Sequence, residues 1–518
     1  MRAFIFAAVF LNVLTLTLGA DEAKKYVDYE QFGAKGNGKS DDTAALVAAH
    51  AYANKHNLPV RVKNSGRYYI GGKKSPIIIM TDTDFGKAQF TIDDRNVQNR
   101  STPVFMVRSK LRNLNKLPGV TELAANQKQL PCQLPARSLV LVKDSSVMRY
   151  IRLGVNANNG LPQTDVFIVN KDGSIDKSTP VLWDFKQFDR VRVMPIDART
   201  LTIRGGIFTT LTNHEAGQHK YFNRGINILR SNVLVEGLVH RVIEPDADES
   251  FPYSGFITIK ECADVTVKNC VLTGRKRYYM KNPKKLAKST GTYDISVTAA
   301  VNVKFINCSQ TNDITDPAYW GIMGSNYCKN LLLDNCRFSR FDAHMGVCNA
   351  VLRNSTLGHQ GVNAIGFGTL LMENCIVKSR YLINMRIDYG STWRGKFIIR
   401  NCTFEPPERA RRNPVALIGG RNDGSHDFGY TCYMPEVIDI DGLLVKDRQY
   451  GKPGKKYRGP FLLADFNNKY RSGSYREKYP YIKPRSVLVR NFRSESGKPC
   501  LLSSNKYMFK NVKLIRKP

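Results

Sequence analysis

VTVKNCVL (265–272), VKFINCSQ (303–310), LLLDNCRF (331–338), LLMENCIV (370–377) and FIIRNCTF (397–404) are five copies of one pattern, an apolar alternation that ends in Asn-Cys. AVLRNSTL (350–357) is a further copy with Ser355 in place of cysteine, and weaker copies centre on Gly205, Gly237, Gly442 and Asn491. Aligned on the Asn or Gly, the copies fall at 205, 237, 269, 307, 335, 354, 374, 401, 442 and 491, with steps of 32, 32, 38, 28, 19, 20, 27, 41 and 49 residues. A near-constant minimum with elastic excess is what a solenoid gives when each coil keeps its strands and varies its loops. The period of two is that of strands. A minimal coil of about 20 residues holds three short strands and their turns. The expected fold class is all-β, a right-handed parallel β-helix.

The same register places Cys270, Cys308, Cys336, Cys375 and Cys402, five of the eleven cysteines, one above another. Free cysteine behaves as a small buried hydrophobe, and stacked asparagines can satisfy one another and the turn backbone. These five are expected to be reduced and to point inward. A packing column is the wrong place for a catalytic thiolate.

Residues 1–20 carry Arg2 and then an apolar run to Ala20, followed by the polar Asp21-Glu22-Ala23-Lys24. This is the pattern of a cleaved signal peptide, so a secreted or periplasmic protein is expected. No later apolar run is long enough to span a membrane. The expected organisation is a signal peptide over 1–20, an N-terminal cap and first coils over 21–130, a β-rich irregular or inserted segment over 131–200, and the β-helix with long basic loops over 201–518. Within 131–200, RSLVLVKD, YIRLGV, TDVFIVNKDGSI and TPVLWDF read as strand-like runs, with a hairpin signal at Asn170-Lys171-Asp172-Gly173.

The 78 Lys and Arg against 44 Asp and Glu give a net charge of +34, a field that favours a polyanionic partner. Basic residues gather in Arg275-Lys276-Arg277-Tyr278-Tyr279 through Lys281, Lys284 and Lys285, in Arg400, Arg409, Arg411, Arg412 and Arg421, and between Lys446 and Arg485. Solvated loops would look the same one at a time, but three such blocks on one solenoid favour a cleft. No zinc-finger spacing, RNP-like aromatic motif or helix-turn-helix pattern points to nucleic acid. An acidic polysaccharide suits both the charge and export, with the protein acting as a monomer.

FGAKGNGKSDDTAAL (32–46) opens a glycine-rich turn and then an amphipathic helix to about His56, N-capped by Asp41 or Asp42. A β-helix must cover its open end, and this helix is suited to that. The segment 27–62 resembles the opening motif of the pectate-lyase-like β-helix superfamily, which includes polygalacturonases, polysaccharide lyases and phage tailspike depolymerases. FDAHMGVCNAVLRNSTLGHQGVNAIGFGTLLMENC (341–375) and RIDYGSTWRG (386–395) are similar to β-helix proteins of carbohydrate-degrading bacteria, among them lyases of glycosaminoglycan-like polymers. The resemblance implies the fold and a polysaccharide substrate. It assigns no catalytic residue, because function belongs to sites and not to folds.

The shortest coils, between Asn335 and Asn401, stack with least interruption. Their strands align as Phe341-Asp342-Ala343-His344, Val362-Asn363-Ala364-Ile365 and Ile383-Asn384-Met385-Arg386. A period of two puts Asp342, Asn363 and Asn384 on one face with His344, Arg386 and Asp388, and Tyr389 at its end. With strands about 4.8 Å apart, these groups would form a patch about 10 to 15 Å across. His344 is a base near neutral pH. Tyr389 can donate a proton to a leaving oxygen, or act as base beside an arginine. Arg386 can neutralise a uronate, and Asn363 or Asn384 can hydrogen-bond its carboxyl group. Together these are the parts of a β-elimination without a cofactor. His359, Tyr319, Trp320, Arg394 and Arg421 are further candidate substrate contacts, by hydrogen bonding, stacking or charge.

Each residue has a plainer alternative. A coil histidine is more often structural, the asparagines can form a ladder, and Asp388-Tyr389-Gly390 with Arg394 can simply build a turn. Three functional alternatives stand beside the lyase. Asp342 and Asp388 could be the paired carboxylates of a polygalacturonase-type hydrolase, although Thr311-Asn312-Asp313 and Gly358-His359-Gln360 are only partial echoes of that family's signatures. The same two carboxylates could hold calcium, but carboxylate is sparse on this face. A non-catalytic glycan-binding solenoid would need no acid/base patch.

Overall fold

A computed structural model describes residues 25–517, except 73–74, 155, 214–220, 245–250, 278, 281–287, 290, 409–413 and 451–456. The chain winds as a right-handed parallel β-helix of three sheets. The first sheet runs through Ile226–Ile228, Ile257–Lys260 and Ile295–Thr298, and continues through the segments that pair Ser325 with Ala343, Asp342 with Asn363 and Asn363 with Asn384. The second carries the apolar halves of the repeats, pairing Val265 with Val303, Val303 with Leu331 and Leu331 with Ala350. The third is short, as in Val271–Leu272 and Ser309–Gln310.

The corner between the second and third sheets explains the Asn of the repeat. All ten aligned positions have positive φ: Asn269, Asn307, Asn335, Asn354, Asn374, Asn401 and Asn491 lie between 48° and 54°, and Gly205, Gly237 and Gly442 between 69° and 73°. Glycine enters this region freely, and asparagine does so more readily than other residues because its short side chain bonds locally. Asn307 Nδ2 donates to Asn269 Oδ1 at 3.2 Å and Asn335 Nδ2 to Asn307 Oδ1 at 2.9 Å, so the ladder also fixes the stacking. A second left-handed column, Asn302, Asn330 and Asn349, lines the corner between the first and second sheets.

Beside the first ladder the five register cysteines are buried free thiols. Their Sγ atoms sit on backbone carbonyls, as in Cys308 to Ile306 O at 3.3 Å. Ser355 fills the same column, accepting from Cys336 N at 2.9 Å and donating to Arg353 O at 2.7 Å. Towards the N-terminal end, Phe90 stacks on Phe208 with centroids 4.7 Å apart. The helix Thr43–His56 closes that end with Leu46, Ala49 and Ala53 buried. Asp42 is its N-cap, but its carboxylate accepts from Lys35 N and Gly36 N, tying down the glycine loop, and Asp41 Oδ1 accepts from Thr43 N.

Ser138–Arg149, Leu161–Val169 and Arg190–Pro195 form a separate antiparallel sheet. One face has its own core around Val140, Phe167 and Val193. The other packs Leu139, Leu141, Val166 and Ile168 onto Ala263, Ala299 and Val301 of the solenoid. The buried pair Lys329–Asp165, at 2.8 Å, pins it further. Two of its expected strand-like runs are corrected. TPVLWDF is not a strand, and YIRLGV leaves the sheet at Tyr150, whose φ of 54° breaks the strand. The expected signal peptide lies outside the described residues.

Replacing Asn335 tests the corner. Asn335→Ala should cost about 1–2 kcal/mol for the left-handed backbone, in addition to its ladder bonds, whereas Asn335→Gly should cost distinctly less. Equal losses in chemical denaturation would show that backbone conformation is not what selects Asn.

Candidate functional site

The expected register is observed: Asp342, Asn363 and Asn384 are in line, and Ala343, Ala364 and Met385 face the interior. What differs is the cover. Arg149–Leu153, leaving the antiparallel sheet, crosses to the end of the first sheet, where Leu153 N donates to Asp388 O at 3.0 Å. Tyr150 meets the Tyr389 ring edge-on at 5.9 Å, and the Arg152 guanidinium lies 5.5 Å from that ring centre.

Five charges interlock beneath this crossing. Arg386 donates through Nη1 to Asp342 at 2.9 Å and through Nε and Nη2 to Asp388 at 3.1 and 2.7 Å. Arg340 pairs with Asp342 at 2.5 Å, and Arg152 with Asp388 at 3.0 Å. Three guanidiniums against two carboxylates leave a positive excess. Burial would raise the Asp388 pKa, but Arg386 and Arg152 hold it below the ordinary carboxylate value.

Asp342 is therefore corrected from an exposed acid to a 0 % exposed strut between two arginines. Arg386 is corrected likewise, since its donors are consumed by the two aspartates. Tyr389, expected to point outward, is 3 % exposed because Tyr150 and Arg152 cover it. Asn384 donates to Asn363 Oδ1 at 2.7 Å, and Asn363 donates to Gln360 O at 2.9 Å. One N–H of each amide is thus committed to the ladder, and the second remains for another acceptor. A cation between Asp342 and Asp388 would have to displace arginines from both.

His344 and Tyr389 are brought together, with ring centroids 5.4 Å apart and nearly perpendicular. His344 Nδ1 is 2.9 Å from Asn326 Oδ1. An amide oxygen can only accept, so Nδ1 carries the proton and Nε2 has the lone pair. Burial, reinforced by Arg386, holds the His344 pKa well below the usual 6.5. Burial raises that of Tyr389 against the opposing effect of Arg152. At neutral pH one is a neutral base and the other a protonated acid, whose hydroxyl makes no hydrogen bond among the described residues.

At the other edge of the same sheet, Trp320 has the Arg277 and Arg340 guanidiniums 5.1 and 5.9 Å from its ring centre. Among the described residues, Arg277 Nε, Arg340 Nε and Nη1 and Trp320 Nε1 are buried without hydrogen-bond partners, as is Arg152 Nε at the first edge. His359 Nδ1 donates to Ile314 O at 3.1 Å, so its buried Nε2 is an acceptor, also without a partner among the described residues. Unpartnered buried donors are costly. Tyr319 is half-buried beside Trp320. Arg421 is exposed and tied to Ser391 through its backbone, and Arg394 lies over Tyr433. Neither pairs with the charge cluster.

Arg152, Arg340 and Asn326 escaped the sequence reading. Arg340 precedes Asp342 by one strand period and could have been found that way; Arg152 had no such signal. The basic blocks are also partly corrected. Arg275 is buried against Asp294, and Arg400 pairs with Asp439. Tyr278, Lys281, Lys284, Lys285, Arg409, Arg411 and Arg412 lie outside the described residues. A second histidine–aspartate pair, His240–Asp294 at 2.8 Å with Thr210 Oγ1 2.9 Å away, mimics a nucleophile triad. Its fully buried His240 and Asp294 make it structural.

No protein-family model matches the sequence, and a comparison with curated proteins finds no match. Among solved structures, the tailspike protein gp49 of Pseudomonas phage LKA1 is similar over 94% of this chain and 84% of its own, with a TM-score of 0.51 and 13% identity. The gp54 tailspike of Acinetobacter baumannii bacteriophage AP22, solved in complex with capsular saccharide, is similar over 95% and 77%, with a TM-score of 0.53 and 10% identity. The Pseudomonas phage phi297 tailspike gp61 covers 91% and 80%, with a TM-score of 0.52 and 13% identity. At these identities the likeness is one of fold.

The strut role of Asp342 has a direct check. Asp342→Asn strands the buried Arg340 guanidinium and takes one of the two partners of Arg386, and should destabilise the protein by about 3–5 kcal/mol, lowering its midpoint in denaturant. A variant of wild-type stability without activity would instead make Asp342 a catalytic acid.

Proposed function

We propose that the chain is an exported polysaccharide lyase that cleaves a uronate-containing, glycosaminoglycan-like polymer by β-elimination. The observation that carries this is the pairing of a neutral His344 with a protonated Tyr389 beside three arginines set against two aspartates. In the step proposed, His344 Nε2 removes the C5 proton of the uronate. Electrons move into a C4–C5 double bond as the C4–O bond breaks, and the Tyr389 hydroxyl protonates the departing oxygen. Arg152, whose side chain is 21 % exposed, neutralises the uronate carboxylate and so acidifies C5. Arg386 acts as a positioning residue. Trp320, Arg277, Arg340 and His359 suit a neighbouring anionic sugar.

The hydrolase alternative loses support because Asp342 and Asp388 are already neutralised by arginine. Glycan binding without chemistry is favoured by one observation, that the unpartnered donors would hold an anion equally well. Incubation with chondroitin, hyaluronan, heparin, alginate and pectate, followed by ultraviolet absorbance of the unsaturated uronide, tests the reading.

His344→Ala and Tyr389→Phe should each reduce turnover by about 10²- to 10⁴-fold. Because the His344 pKa is depressed, wild-type activity should persist below pH 6.5 and fall only as the imidazole finally protonates; the raised Tyr389 pKa should keep the alkaline side flat to beyond pH 10. Binding of a polymer from the panel with neither unsaturated product nor new reducing ends would leave only the glycan-binding alternative.

A further inference from the structure

Behind Tyr389, where the antiparallel sheet meets the corner of the coils, lies a cavity of about 200 Å³. Its walls include Arg149, Trp183, Phe367, Arg394, Tyr430 and Tyr433. Trp183 meets Phe367 edge-on at 5.1 Å and lies 6.2 Å from Tyr430, nearly parallel to it. Tyr150 and Tyr430 separate this space from the candidate centre: the Tyr150 ring touches Tyr389 on one side and lines the cavity on the other, and the Tyr430 hydroxyl donates to Tyr389 O at 3.1 Å.

The arginines of the cavity are held by neutral groups, with the Asp427 carboxylate acting on Arg149 only from beyond ion-pair distance. Arg149 donates from Nε and Nη2 to Gln163 Oε1 at 2.9 and 2.7 Å and from Nη1 to Gly429 O, and its guanidinium lies 4.5 Å from the Trp183 ring centre. All these partners are neutral. The Arg394 guanidinium sits 5.4 Å from the Tyr433 ring centre. Among the described residues neither arginine forms an ion pair. A half-buried guanidinium fixed by neutral acceptors is pre-organised for an external anion. The aromatic surfaces suit the C–H face of a sugar ring. Size agrees as well, since a cavity of about 150 Å³ is enough for benzene.

We propose that this cavity is a sugar subsite distinct from the His344–Tyr389 centre, seating one anionic pyranose with its acid group, carboxylate or sulfate, near Arg149 and Arg394. It rests on the reading of the chain as an acidic-glycan protein, but not on elimination. A polymer held there would turn the corner past Tyr389, so the subsite would orient the chain for attack.

The indole N–H signals of the three tryptophans, Trp183, Trp320 and Trp393, report on it in the full chain. The probes are methyl glucuronide, glucose 6-sulfate and the neutral methyl glucoside. The Trp183 signal should move with one or both acidic sugars and not with methyl glucoside, and the stronger responder identifies the acid group. Arg394→Gln should weaken that response by about tenfold or more. An equal response to methyl glucoside, or no movement of Trp183 with any sugar, overturns the subsite. If only Trp320 moves, the subsite falls and the elimination reading stands. Movement of Trp183 in a protein that yields no unsaturated product would uphold the subsite and sink elimination.

Discussion

The ten aligned corners between the second and third sheets each turn through an Asn or Gly with positive φ, and that backbone constraint organises the rest. Asn or Gly at the corner sets where each coil ends. The amide ladder then locks neighbouring coils in register, because a slipped coil would lose its ladder bonds and expose its apolar face. The cysteine column follows, as the position next to the corner points inward and is filled by Cys or Ser in six successive copies and by Leu238 and Leu443 in others. Identical corners therefore let loops of very different length leave the solenoid without disturbing its stacking.

Register is also what makes the candidate site. Residues remote in sequence but on the same face of stacked coils, such as Asp342 and Arg386, come within hydrogen-bonding distance. The aspartates keep the arginines ordered, and the arginines keep the buried imidazole neutral. Removing one member of such a buried set costs more than the set itself contributes. The cluster is thus rigid in its charge arrangement, with three guanidiniums set against two carboxylates.

The fold was legible because its signal is repeated. Ten corners in the sequence correspond to ten left-handed residues, and the alignment of Asp342, Asn363 and Asn384 follows from it. His344 and Tyr389 were legible as neighbours for the same reason. Period two reports which side of a strand a residue occupies, but not what lies over that side. Hence the burial of Tyr389 was not readable. It depends on Arg149–Leu153, a crossing segment that reads locally as another strand and arrives from a sheet remote in sequence. The clamping of Asp342 comes from Arg340 and Arg386 on the coils themselves. Arg275 shows the converse, a charge in a basic run that turns inward to meet Asp294.

Cleavage of an acidic polysaccharide in heavy-oxygen water tests the central claim most directly. Elimination uses water in neither bond, so both new ends should be free of the heavy isotope, with one end unsaturated. Products carrying one heavy oxygen at the new reducing end, and no unsaturation, would mean hydrolysis and would contradict the roles given to His344 and Tyr389.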